Sequence, residues 1–414
     1  MHKAGRVSTF TVSLIYQISA LVQYLYSSNA VKHRYSYISD QSPQKPRDRR
    51  TKLVEFARST MDLQGVGLFE KDAFGSIMCS WSYPSLPEGF ESVLQSRSLL
   101  DDDSALPTGA PRFVWSRFKS LWHYSMIADA DPKVDGKVEC FSISVLSGNF
   151  NPEKFGALLQ LWCAQYTATG TPTSILEGYL KAFTTAQFAC PAGSWAAASF
   201  GDNRALISGC SLRDVLRSFG PQAVLLWNAM LLKKRIVVFC DVLPELLAFV
   251  RAMPQLVWHR QRWQILRPFV AASKAQLDEL GAAGVYVAGF TEKAVRSGEQ
   301  YYDVFVDLPE RRVAVAAHAK AGLAMGEFHK GLAEHMLALA NADGATDQAV
   351  IKGVALKTKE LLDNLRGMCT ATAAASDGSG GARNVVTREI LAARKMPASM
   401  ERFLFDVALA EDMA

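Results

Sequence analysis

The stretch LLKKRIVVF, residues 231–239, changes character twice and decides how the rest of the chain is parsed. Leu231 and Leu232 close an apolar run of helical spacing that opens at Pro221. Lys233, Lys234 and Arg235 then put three cations where a helix dipole favours them, and their stems can cover apolar surface. Ile236 to Cys240 is a continuous apolar run, short and rich in β-branched residues. Such a run predicts a strand buried on both faces, as in a parallel sheet. The order helix, cationic stop, buried strand predicts an α/β body.

Working outward, a helix is expected over Ser211–Phe219 before this stretch and another over Val242–Met253 after it. β-type runs at Ile265–Ala271, Val285–Phe290, Val304–Leu308 and Val313–Ala316 alternate with short helices. Two helical stripes follow, Phe328, Leu332, Met336 and Leu339, then Ile351, Val354, Thr358, Leu361 and Leu365. Residues 370–382 are rich in Ala, Ser and Gly without periodicity and read as a mobile loop before two last helices.

The front half has its own pattern. Leu63–Phe69 and Ile77–Tyr83 read as a hairpin, residues 88–99 as a helix, and Phe113–Phe118, Leu121–Ile127 and Val138–Leu146 as strands. Asn151 can cap a helix with Pro152 at its first position and Glu153 in its first turn. Its stripe is Phe155, Leu158, Leu159, Trp162 and Tyr166; Gly170-Thr171-Pro172 ends it, and Thr173 or Ser174 can cap a further helix through Phe183. The order ββαβββαα predicts a five-stranded sheet with helices. The expected division is a leader at 1–60, a first lobe at 62–189, a connector at 190–204 and a second lobe at 205–414.

Composition narrows the class. With 49% hydrophobic and 21% charged residues in 414, the chain has ample core material and is neither disordered, collagen-like nor a polytopic membrane protein. The net charge of +5 divides unevenly, because residues 1–60 hold ten Lys/Arg against three acids. The remainder is slightly acidic, which speaks against a nucleic-acid footprint. Seven cysteines without a CxxC lie mostly in apolar runs, and no asparagine starts an N-x-S/T sequon, so a reducing, cytoplasmic setting is expected. In the leader, the apolar stretch Phe10–Tyr26 is diluted by Ser13, Gln17, Ser19 and Gln23. Three readings stay open for it: a membrane anchor, a cleaved targeting peptide, or a dispensable extension with Met61 opening the domain.

The chemistry-bearing motifs are near-misses. Gly65-Val66-Gly67 begins a GxGxxG but lies within a strand, Gly136-Lys137 lacks the Ser/Thr of a P-loop, and Asp377–Gly381 sits in low-complexity sequence. His329 and His335 are wrongly spaced for two ligands on one helical face, so no metal site, cofactor or covalent catalytic residue is expected. Two basic clusters remain. Lys233-Lys234-Arg235 reads as dipole compensation or partner contact; Trp258-His259-Arg260-Gln261-Arg262-Trp263 reads as an internal turn or a protein-docking edge, since Trp and Arg are favoured interface anchors.

Several runs carry a resemblance beyond this. The order ββαβββαα is similar to a longin lobe, on which the front half of a DENN module is built. LLKKRIVVF looks like the DENN core signature. VGLFEKD (Val66–Asp72), FNPEKF (Phe150–Phe155), LVWHRQRWQIL (Leu256–Leu266), YVAGF (Tyr286–Phe290), YDVFVDL (Tyr302–Leu308) and ALKTKE (Ala355–Glu360) follow in order. Together they resemble the DENN domain-containing protein 10 family over residues 62–414; the leader and the 370–382 loop are the departures. The resemblance implies a bilobed DENN module and a guanine nucleotide exchange factor for a Rab-family small GTPase in late-endosomal traffic, peripheral to the membrane. The alternative is a DENN-fold adaptor that binds a Rab or an endosomal sorting scaffold of the Commander type without exchange. The partner-binding residues expected are Trp258, His259, Arg260, Arg262 and Trp263, ahead of Lys233, Lys234 and Arg235.

Overall fold

Five strands near the front of the chain pair in the order β2-β1-β5-β4-β3, every pair antiparallel. The computed structural model describes residues 62–100, 111–201, 210–260, 262–371 and 384–414. The leader, the Asp377–Gly381 motif and most of the 370–382 stretch lie outside the described residues. The strands are β1 (Leu63–Asp72), β2 (Ile77–Tyr83), β3 (Arg112–Phe118), β4 (Leu121–Asp129) and β5 (Val138–Ser147), with α1 (Phe90–Arg97) between the second and third.

Register gives this sheet two unlike faces. Leu68 pairs with Ile143 and Tyr124 with Val145, and this apolar face packs on α2 (Pro152–Thr169), where the Tyr124 and Phe155 rings stack at 4.5 Å. The opposite face carries Ser116, His123, Ser125, Ser142 and Ser144, all fully buried, among the apolar Phe69, Val114, Ile127 and Leu146. Helix α1 covers it, and Arg97 donates to the Ser116 hydroxyl. The Asn151 side chain does cap α2, accepting from the Lys154 N–H at 3.0 Å. Gly170, at φ 60°, ends it in the left-handed conformation that glycine adopts without strain.

Two local expectations change. Helix α3 (Pro172–Thr185) has its N-cap at Thr171, two residues before Thr173 and three before Ser174, and Ser174 turns its hydroxyl back to the Thr171 carbonyl at 2.8 Å. The stretch read as connector instead begins with a hairpin, β6 (Gln187–Cys190) and β7 (Gly193–Ala196). Trp195 explains it: the indole is buried and donates to the Lys154 carbonyl at 3.0 Å, which ties the hairpin to α2.

The second sheet has the order β12-β11-β8-β10-β9. Its members are β8 (Ile236–Phe239), β9 (Leu266–Arg267), β10 (Val287–Phe290), β11 (Val304–Asp307) and β12 (Arg312–Val315). β8 is central and parallel to β10 and β11. Ile236 and Val238 enter one apolar cluster, Val237 and Phe239 another, so this sheet is apolar on both faces. That is why IVVF shows no alternation. Gly289 is required by close approach, since a Cβ there would stand 2.2 Å from the Pro268 carbonyl oxygen. The expected strand at 265–271 shrinks to two residues at the point where Pro268 lacks an N–H for the ladder; Val270 resumes pairing with the Gly289 carbonyl at 2.9 Å.

Helices α4 (Leu212–Phe219), α5 (Ala223–Leu231), α6 (Leu243–Ala252), α7 (Lys274–Ala282), α8 (Glu327–Asn341), α9 (Asp347–Arg366), α10 (Arg388–Ala392) and α11 (Ala398–Ala410) accompany this sheet. Trp227 on α5, fully buried, donates to Thr358 on α9 at 2.9 Å and lies against Phe328 and Phe403. The sheets meet through named contacts. Arg97 donates to Gln276 at 2.6 Å, the Lys119 N–H to Glu279 at 2.8 Å, and Arg251 forks onto Glu153. One apolar cluster runs through both.

Candidate functional site

The end of α5 brings the two basic clusters together. Lys233 takes a left-handed backbone, φ 52°, with the Lys233 N–H on the Met230 carbonyl and the Lys234 N–H on the Ala229 carbonyl. This is a Schellman-type stop with lysine where glycine is usual. The helix leaves its last carbonyls without intrahelical donors. Arg260 supplies them: its guanidinium donates to Met230 at 3.1 Å and Leu231 at 2.7 Å. Its charge is met by Glu411, just past α11, which also bonds His259 at 2.8 Å. Burial alone would raise the Glu411 carboxyl; the hydrogen bonds from His259 and Arg260 outweigh it and hold the group below the usual carboxylate range.

Most of the second cluster is therefore occupied within the fold. The Arg260 side chain is 9% exposed. Trp263, 6% exposed, stacks on Phe150 at 5.0 Å, and Phe150 continues to Trp122 at 4.5 Å, an aromatic ladder across the junction of the sheets. Trp258 is half-buried against the core. Among the described residues of this cluster, Arg262 alone is an exposed cation without a charge partner.

The first cluster divides as well. Arg235 pins the starts of two strands, bonding Asp303 through side chain and backbone N–H and the Gln300 carbonyl at 2.7 Å. The Asp303 carboxyl, which burial would raise, is brought down to about 2 by Arg235 and His318. Lys234 is half-buried and pulls on Asp406, whose carboxyl burial raises. Lys233 has no side-chain partner among the described residues.

Lys233, Arg260 and Arg262 thus converge from two places in the sequence. They frame a small pocket of about 50 Å³ floored by Met230, Pro254, Val257, Ile265 and Val285. Sequence reasoning ranked whole segments, whereas the fold sorts residues one by one. It also missed Glu411, which holds Arg260 and His259 from far along the chain and carries no local signal.

Four groups that could do covalent chemistry are desolvated enough to disfavour their charged forms. Burial pushes His123 down to about 3 and His329 to about 4, and raises the thiols of Cys163 and Cys210. Among the described residues no three His, Cys, Asp or Glu side chains group as metal ligands, and no helix is long and apolar enough to cross a membrane.

Comparison with known proteins matches residues 210–317 to the family described as SPA, Stabilization of polarity axis. Three proteins, each named DENN domain-containing protein 10, align over most of this chain. The one from Dictyostelium discoideum is 36% identical over 366 residues, 84% of this chain and 97% of the relative. Those from Danio rerio and Homo sapiens are 35% and 34% identical, over 84% and 86% of this chain and 97% of each relative. With a mixed α/β body of two five-stranded sheets and this kinship along nearly its described length, the chain belongs to the DENN domain-containing protein 10 family.

Proposed function

We propose that the protein is a guanine nucleotide exchange factor for a Rab-family small GTPase, binding the switch regions and promoting GDP release in late-endosomal and vesicle traffic. The observation that carries this reading is the extent of the kinship, 97% of the length of three proteins named for a DENN domain. An exchange factor breaks no covalent bond. It binds the nucleotide-free GTPase more tightly than the loaded form, and only that difference can draw the switch loops from Mg²⁺ and phosphate. Inverting a 99:1 equilibrium takes about a 10⁴-fold preference, which suits a surface of several anchors better than one acid or base. The neutral, buried state of His123 and Cys163 accords with such a surface. In this reading the protein is cytoplasmic and peripheral to late endosomes, reached through its partner unless the leader anchors it.

The second reading is an adaptor that holds a Rab or an endosomal sorting scaffold of the Commander type without exchange. It is favoured by the small number of uncommitted cations in the two clusters, Lys233 and Arg262. That is enough to dock a partner and few to hold open a nucleotide site. Release of mant-GDP from a panel of purified Rabs, with and without the full chain, separates the two. Acceleration of one Rab supports exchange, nucleotide-independent binding without acceleration supports the adaptor, and neither outcome sinks both.

A further inference from the structure

We infer that the pocket framed by Lys233, Arg260 and Arg262 receives an acidic side chain adjoining an aliphatic one, presented by a protein partner. The aliphatic end meets the floor of Met230, Pro254, Val257, Ile265 and Val285, and the carboxylate lies between Lys233 and Arg262. That the partner is a GTPase rests on the reading above; the chemistry of the pocket does not.

Three observations point this way. First, the rim is over-supplied with charge. Arg260 is matched by Glu411, whereas Lys233 and Arg262 have no counter-ion among the described residues. Unmatched like charges beside an apolar wall concentrate a positive potential and draw in an anion. Second, the space is about 50 Å³, far below the usual ~300–1,000 Å³ of a cofactor or substrate site, so it suits one aliphatic end. A free phosphate gains nothing from such a floor. Third, Lys233 holds a left-handed conformation that glycine would adopt without strain. A lysine there keeps its ammonium at the rim at the expense of the backbone, and residues held in such conformations cluster at binding sites.

The test uses the full chain and fluorescein-labelled peptides read by anisotropy. One peptide carries Glu-Leu in a Gly/Ser frame; in two controls Gln replaces Glu, or Ala replaces Leu. The Glu-Leu peptide should bind best, and Lys233→Gly or Arg262→Gln should each weaken it about tenfold, the loss expected for one charge-assisted contact. Lys233→Gly should melt no lower than the wild type, which separates lost binding from lost folding. Failure of the Glu-Leu peptide to bind, equal binding of the Gln control, or wild-type affinity in both variants would overturn the pocket. Competition by inorganic phosphate as strong as by unlabelled peptide would also overturn it in favour of a plain anion site. The exchange reading fails separately: if no Rab releases mant-GDP faster while the peptides behave as expected, the pocket stands and exchange falls.

Discussion

The two sheets solve the same problem in opposite ways. In the first, antiparallel, sheet one face is apolar and the other mixes buried apolar side chains, Phe69, Val114, Ile127 and Leu146, with hydroxyls and one histidine that burial keeps neutral. Ser125 there bonds Ser144 at 2.5 Å and also His123. The neighbouring strand supplies Ser125 with Ser144, whereas the Ser142 hydroxyl and His123 Nδ1 find no hydrogen-bond partner among the described residues. The second sheet is apolar on both faces, and its polar work moves to the strand starts, where Arg235, Asp303 and His318 bind one another. Around such a sheet a cluster of cations in the sequence is first of all a set of pins. What remains for a partner is whatever the pins leave over.

The comparison stands on one continuous core, and Trp263 is the place to break it. Its ring, just before β9 of the second sheet, stacks on Phe150, which continues to Trp122 in β4 of the first. Trp263→Ala should cost about 3–5 kcal/mol, as large-to-small changes of buried aromatics do, in a single thermal transition. Two separated transitions would mean that the lobes melt independently. That outcome would undo the picture of a shared core.

The contrast between faces sharpens with a pair of small changes. Val238→Thr keeps the shape but buries a hydroxyl in a face that offers apolar neighbours, and should cost about 1–3 kcal/mol. Ser144→Ala removes a hydroxyl from a layer where Ser125 keeps His123 as a partner, and should cost about 1 kcal/mol or less. Equal costs by urea denaturation would show the faces to be less different than their residues.

Acid should find the strand pins next. The Asp303 carboxyl is brought down to about 2 in the folded protein. A depressed carboxyl contributes stability above its unfolded value of about 3.9 and loses it as pH falls toward the folded value. Between pH ~4 and ~2 the wild type should therefore lose about 1–2 kcal/mol that Asp303→Asn does not, a figure reduced because Arg235 and His318 are partly open to solvent. Parallel melting curves of the two proteins across that window would show that the pin contributes nothing.

The sequence disclosed elements better than partners. The strands and helices from 63 to 183 follow from spacing and caps, because alternation, Asn151-Pro152 and Gly170 are local causes with local effects. The β6–β7 hairpin is hidden because it is short and mostly of small residues, and two buried aromatics hold it, Phe188 against Trp162 and Trp195 on the Lys154 carbonyl. Within the candidate site Lys233 and Arg262 were named as members of clusters, but their isolation was not legible. It depends on Arg260 meeting Glu411, 151 residues away, and on Arg235 meeting Asp303 across the sheet. A cation's availability is a property of the fold, because it is settled by which neighbours arrive.

The smallest effect makes the sharpest distinction between the surroundings of the two sheets. Each has a helix that stops on a non-glycine residue in the left-handed region, α3 at Ala186 with φ 56° and α5 at Lys233 with φ 52°. Glycine at either position relieves the same backbone strain. Ala186→Gly should stabilise by about 0.5–1 kcal/mol. Lys233→Gly should gain less, from nothing to about 0.5 kcal/mol, because it also removes a cation from a helix C-terminus. Their consequences for a partner should part completely. Ala186 carries no charge and lies at the end of α3, outside the pocket, so its variant should bind the Glu-Leu peptide as the wild type does. Lys233→Gly should bind it about tenfold more weakly at equal or higher melting temperature. If both glycine variants bind alike, Lys233 is only a helix stop that happens to be charged, and the asymmetry between the two helix ends disappears.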